Sequence, residues 1–151
     1  MGTLGEWLFT NDLYATQQAY AGIRKGGADE CTCNGCRNFI AVRGRVFPPA
    51  FLSLLQSLGI DAYKDGEVYH NAQLSPGRHD YGGWYHFVGS LDRSGDFPPV
   101  DFGDGFTAWL CRRNSPALPG LKGLPLVELN FHADNVPWAF LSENPSKERS
   151  G

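Results

Sequence analysis

The stretch His79-Asp-Tyr-Gly-Gly-Trp-Tyr-His-Phe-Val-Gly-Ser-Leu91 decides how the rest of the chain folds. Read at period two, it places Tyr81, Tyr85, Phe87 and Leu91 on one face and Trp84, His86 and Val88 on the other. Aromatic and β-branched residues dominate, so the segment predicts a strand that is partly apolar on both faces and therefore central to a sheet. Gly82 and Gly83 interrupt it and predict either a bulge or a close backbone approach. An aromatic ligand-binding floor is the functional alternative, but packing in a core is the better expectation for rings at this spacing.

On either side of this strand the same signals recur between turn clusters. "EVYHNAQL" (67–74) precedes it and ends at Ser-Pro-Gly, while "FTAWLCRR" (106–113) and "PLVELNFHA" (125–133) follow it. The last of these sets Val127, Leu129 and Phe131 against Glu128, Asn130 and His132, one side core and one side polar. Upstream, "FPPAFLSLLQSLG" (47–59) carries Phe51, Leu54, Leu55 and Leu58 at helical spacing, with prolines at its entry and Gly59 after its last turn. A second helix is expected from Asn11 or Asp12 through "LYATQQAYAGI", ended by Gly26 and Gly27, and a short third over 36–42. Together these predict an α+β domain over residues 1–141: an antiparallel sheet of about four strands, with one or two helices on one face and a cysteine knuckle near the N-terminus. Residues 142–151 lack apolar anchors and are expected to form a loose tail.

Composition narrows the function classes. Hydrophobic residues make up 42% and charged residues 19% of 151, and 19 Gly with 10 Pro predict many turns and few long helices. The net charge is −3 with no basic stripe, which argues against a nucleic-acid partner. No window approaches the roughly 20 apolar residues of a membrane helix. "MGTLGEWLF" lacks a basic region followed by an apolar run, and Glu6 occupies the position where myristoylation needs Ser or Thr, so a cytoplasmic protein is expected. No Gly-x-Ser-x-Gly turn and no glycine-rich phosphate loop appears. The acidic loop with Asp92, Asp96, Asp101 and Asp104 lacks the final bidentate carboxylate of a calcium loop and reads as a solvated turn.

"ECTCNGCRNF" (30–39) is where composition points to chemistry, with three of the four cysteines in six positions. Asn34-Gly35 between Cys33 and Cys36 suits a tight turn whose N–H groups face sulfur, and Cys31 adds a third donor. In a reducing compartment such a cluster reads as a metal site, zinc first. The expected site is closed and structural, and its metal fastens an N-terminal segment poor in apolar anchors to the sheet. Its fourth ligand is Cys111 in the leading reading, or one of His70, His79, His86 and His132. The enzyme alternative is a thiol-disulfide oxidoreductase using Cys33 and Cys36, with a helix N-terminus and Arg37 favouring thiolate. A third is an acidic interaction protein of the immunity or inhibitor type, in which the thiols are incidental. A histidine among aromatics is more often structural than catalytic, and Glu128 with His132 shares one strand face.

With "CNGCRNF", "FPPAFLSLLQSLGID", "YGGWYHFVG" and "VPWAF" in this order, residues 30–140 resemble a group of small bacterial proteins. That group carries Cys-x-x-Cys-Arg/Asp-Asn-Phe, a Phe-Pro-Pro helix ending in Leu-Gly-Ile-Asp, and Tyr-Gly-x-Tyr-His-Phe-x-Gly. The resemblance implies a bacterial cytoplasmic setting and one shared domain. It brings no substrate and no catalytic residues.

Overall fold

A computed structural model of the chain describes residues 1–146. Its axis is the 16-residue strand β4 (Arg78–Arg93), which contains the whole of the Tyr-Gly-Gly-Trp segment. One edge of β4 pairs with β7 (Leu126–Val136), beyond which lie β6 (Phe106–Arg112) and β5 (Val100–Gly103). The other edge takes two strands in succession. The first half of β4 pairs with β3 (Glu67–Ser75), and its end pairs with β2 (Trp7–Asn11), which carries β1 (Gly2–Leu4) outside it. All seven strands are antiparallel to their neighbours.

Between β2 and β3 the β4 edge needs other partners, because a buried backbone N–H or C=O without one is costly. Helix α1 (Leu13–Ala21) supplies two of them. The Tyr20 hydroxyl donates to the His86 carbonyl at 2.7 Å, and the Val88 N–H donates to Thr16 Oγ1 at 3.0 Å. Asp12 caps this helix, its carboxylate accepting from the Ala15 N–H at 3.0 Å, as its sequence position predicts. The helix stops at Gly22, four residues before the Gly26-Gly27 pair expected to end it.

Helices α3 (Asn34–Val46) and α4 (Pro49–Leu58) cover one face of the sheet. Register places Tyr81, Tyr85 and Phe87 of β4 on that face, beside Val127, Leu129 and Phe131 of β7 and Phe106, Ala108 and Leu110 of β6. All nine are buried, and Phe39, Val42, Phe51, Leu55 and Leu58 of the helices meet them. The Phe39 and Phe131 rings stack at 5.9 Å, and those of Phe51 and Phe106 lie 4.7 Å apart. The α4 expectation holds residue for residue, with Pro49 in the first turn and Gly59 at φ +80° closing the last. The helix expected over 36–42 is longer, because α3 runs on to Val46.

Several expectations are corrected. Among the described residues the sheet has seven strands rather than about four, and there are four α-helices, counting the single turn α2 (Gly27–Glu30). The three strands missed are short: β1 and β2 turn at Gly5, φ +54°, and β5 meets β6 through Gly103, Asp104 and Gly105, all at positive φ. The N-terminal segment is well anchored without a metal, since Leu4, Trp7, Phe9, Tyr20 and Ile23 are all buried. Gly82 and Gly83 form no bulge. Pairing with β7 runs unbroken from Tyr81 to Val88, and the glycines instead admit rings: a Cβ on Gly82 would lie 2.5 Å from the Tyr69 ring, and one on Gly83 2.6 Å from that of Phe131.

Of the expected loose tail, residues 142–145 are bonded to the body of the domain, and 147–151 lie outside the described residues. No helix among the described residues is long and apolar enough to cross a membrane.

Candidate metal centre

The cysteine cluster sits where α2 hands the chain to α3, against β3. Cys31 is extended, and Cys33 caps α3 with its sulfur accepting from the Cys36 N–H at 3.4 Å. This N–H to sulfur bond is the knuckle that the Cys-x-x-Cys spacing predicts. Gly35 does not provide it through a positive φ, since Asn34 and Gly35 already form the first turn of α3. Gly35 instead allows approach, because a Cβ there would stand 3.3 Å from that of His70. Cys31 Sγ lies 3.0 Å from Cys33 Sγ, and the Cys36 thiol donates to the Val68 carbonyl at 3.8 Å. The three sulfurs all lie within 4.8 Å of one another. Sulfurs in a tetrahedral zinc site stand about 3.8 Å apart, given Zn–S bonds of about 2.3 Å, so this cluster is already close to coordinating dimensions.

Both sides of the knuckle are held by polar contacts that leave the thiols alone. Upstream, Asp65 is fully buried and receives the Ala28 N–H on Oδ2 at 3.0 Å, while its carbonyl takes the Gly27 N–H at 2.7 Å. Arg43 of α3 approaches Asp65 Oδ1 at 3.6 Å, its guanidinium lying over the Tyr63 ring. Downstream, the Gly35 N–H donates to the Pro145 carbonyl at 3.1 Å and Asn34 Nδ2 to the Asn144 carbonyl at 3.3 Å. The Tyr81 hydroxyl donates to the Gly35 carbonyl at 2.7 Å.

The thiols differ in acidity. Burial would raise the Cys31 thiol, but hydrogen bonds from Cys33 and Cys36 outweigh it and hold Cys31 below the ordinary thiol range. Cys36 is pushed far up, first by burial and then by its two sulfur neighbours. A cation would reverse that second effect, because thiolates that repel each other in its absence become its ligands. Arg37, expected beside the thiols, turns instead to Asn34 Oδ1 at 3.4 Å and to the Phe140 ring.

Cys111, the first-choice fourth ligand, is placed elsewhere. It pairs with Glu128, which pairs with His86, a row on the sheet face opposite α3. Its sulfur accepts from Asn130 Nδ2 at 3.2 Å and its thiol donates to Glu128 Oε2 at 3.4 Å. Burial, then the Glu128 charge, raises this thiol to about 11. His86 Nε2 meets Glu128 Oε1 at 3.0 Å, while His132, on the same face, bonds Asp80 at 2.8 Å rather than Glu128. His70 alone of the four histidines lines the cleft that holds the cysteines. Its Nε2 meets His79 Nδ1 at 2.8 Å, and His79, stacked on Trp138 at 4.4 Å, passes its Nε2 to Glu143 Oε1 at 2.9 Å.

Sequence reasoning missed Asp65, Arg43 and Glu143. Asp65 sits in the turn "YKDGE", where a solvated acid is the ordinary expectation, and Glu143 sits in the expected tail. The one available signal was the Gly26-Gly27 pair: a Cβ at Gly27 would fall 2.4 Å from the Gly66 carbonyl, so two glycines mark a close approach of two loops. Comparison of the chain with protein-family models, with curated proteins and with solved structures finds no match.

Proposed function

We propose that the protein is a zinc-stabilised binding module whose metal is held by the thiolates of Cys31, Cys33 and Cys36. The observation that carries this reading is the convergence of three sulfurs within 4.8 Å at the junction of α2, α3 and β3. Three free thiols of differing burial have no hydrophobic reason to meet in this way, whereas soft sulfur donors at this separation suit zinc. The ion ties the α2 turn and the first turn of α3 to one another beside β3. Its stabilising effect is local, because residues 1–23 are anchored by their own apolar side chains. The cleft above the thiols is where a partner, a small molecule or a protein segment, meets the module.

The 3.0 Å contact of Cys31 with Cys33, together with the lowered pKa of Cys31, favours a second reading in which the thiols of the cluster, Cys33 and Cys36 among them, cycle with an external oxidant. Elemental analysis of protein purified under reducing conditions separates the two. The zinc reading expects about one equivalent in the wild type and its loss, with a lowered melting temperature, in Cys33→Ser. A metal-free wild type whose thiols oxidise reversibly would sink it in favour of the redox reading.

A further inference from the structure

The three sulfurs lie in a cleft of about 390 Å³, within the range of small-molecule sites of about 300–1,000 Å³. Glu67, Tyr69 and His70 of β3 line it together with Pro145. No fourth His, Cys, Asp or Glu joins the three cysteines among the described residues. Tetrahedral zinc needs a fourth donor, and a site with three protein ligands beside a cleft is the arrangement in which that position stays exchangeable. Resting on the zinc reading above, we propose that the metal's fourth position opens to the cleft and takes a small aminothiol through its sulfur.

The chemistry of the walls selects this ligand class. Three thiolates on a divalent cation leave a net charge of −1, and the Glu67 carboxylate adds to the negative field, so carboxylate and phosphate donors are repelled. A thiol is matched in softness to the other donors; it would bind as the thiolate, displacing solvent from the fourth position and releasing its proton to water, and an amino group on its far end would have Glu67 and His70, which line the same cleft, as partners. The hydrogen-bond chain gives His70 a definite role. The Glu143 carboxylate is held ionised by its bond from His79, so His79 Nε2 carries the proton and its Nδ1 accepts from His70 Nε2–H. The lone pair of His70 is thereby left on Nδ1, an acceptor for an N–H on the ligand.

Cobalt(II) replaces zinc in such sites and makes the coordination visible, and cysteamine and mercaptoacetate offer the same sulfur with opposite charge. Added to the cobalt protein, cysteamine is expected to raise the sulfur-to-metal charge-transfer band saturably by about one third, as three Co–S bonds become four. Mercaptoacetate is expected to need an about tenfold higher concentration, a preference that shrinks in Glu67→Gln. A band unmoved by cysteamine, equal response to both thiols, or loss of cobalt into free thiol would overturn the proposal. So would a His70→Ala variant whose ligand-field bands differ before any thiol is added, since His70 would then be the fourth ligand. Absence of thiolate-cobalt bands in the untreated protein would instead defeat the metal reading itself.

Discussion

Asn38 of the Cys-Arg-Asn-Phe motif is fully buried and uses both ends of its amide to fasten the segment after β7 to α3. Its Nδ2 donates to the Pro137 carbonyl at 3.0 Å and to the Tyr81 hydroxyl at 3.2 Å, and its Oδ1 accepts from the Ala139 N–H at 2.7 Å. Replacing it with alanine removes three hydrogen bonds, each worth about 0.5–1.5 kcal/mol net. Tyr81 keeps its bond to Gly35, but the Ala139 N–H and the Pro137 carbonyl lose their partners, Pro137 half-buried and Ala139 exposed. The expected destabilisation is about 3 kcal/mol, a large share of the roughly 5–15 kcal/mol of a domain this size. In urea, with a slope of about 2 kcal/mol per molar, the midpoint should fall by about 1.5 M. Asn71, exposed and bonded only to Asp80 at 2.8 Å, serves as the control, and Asn71→Ala should cost less than about 0.5 kcal/mol. If Asn38→Ala melts with the wild type or with the control, the claim that this amide clamps the segment after β7 to α3 is wrong.

Other expectations follow from single contacts. Burial raises the Asp65 carboxyl from 3.8 to about 6, so the folded state holds its proton more tightly than the unfolded chain does. Its contribution to stability is complete below the unfolded value and is lost as pH rises through about 6, so wild type minus Asp65→Asn should gain up to about 3 kcal/mol on acidification from pH 7 to 4. A flat difference between the two across that range, measured by denaturant titration, would remove this account of Asp65. Gly44 lies in α3 with nothing near its missing Cβ, so Gly44→Ala should raise stability by about 0.5–1 kcal/mol. Gly83→Ala, facing the Phe131 ring and the Glu67 carbonyl at 2.6 Å, should lower it by about 1–3 kcal/mol, and thermal melts of the pair test the contrast. Cys111→Ser should leave metal content unchanged, because Cys111 bonds Glu128 and Asn130 on the far face of the sheet; loss of metal in elemental analysis would place it at the centre after all.

How far the sequence could be read depended on whether a signal was periodic or relational. The period-two pattern around Tyr85 and Leu129 and the helical stripe of Phe51, Leu55 and Leu58 specified the central strands and α4, because each is long enough for alternation to emerge. Strands β1, β2 and β5 have three to five residues each, too few for alternation to stand out; β2 and β5 exist because β4 and β6 offer edges to pair with, and β1 because β2 does. The clustering of Cys31, Cys33 and Cys36 was legible from spacing. Its surroundings were not: Asp65 beside Arg43, and Glu143 beside His79, are pairs separated by 20 residues or more, and nothing local marks either acid as buried or engaged. Cys111 was misplaced for a related reason. Composition counts thiols, whereas the register of β6 against β7 decides which face of the sheet a thiol occupies.

Native mass spectrometry of the reduced protein tests the central claim most directly, because it counts ions and protons together on the intact chain. The account predicts one predominant species carrying a single zinc, with Cys31, Cys33 and Cys36 protected from alkylation until the ion is chelated. A metal-free chain in which all four thiols alkylate independently of chelator would contradict it.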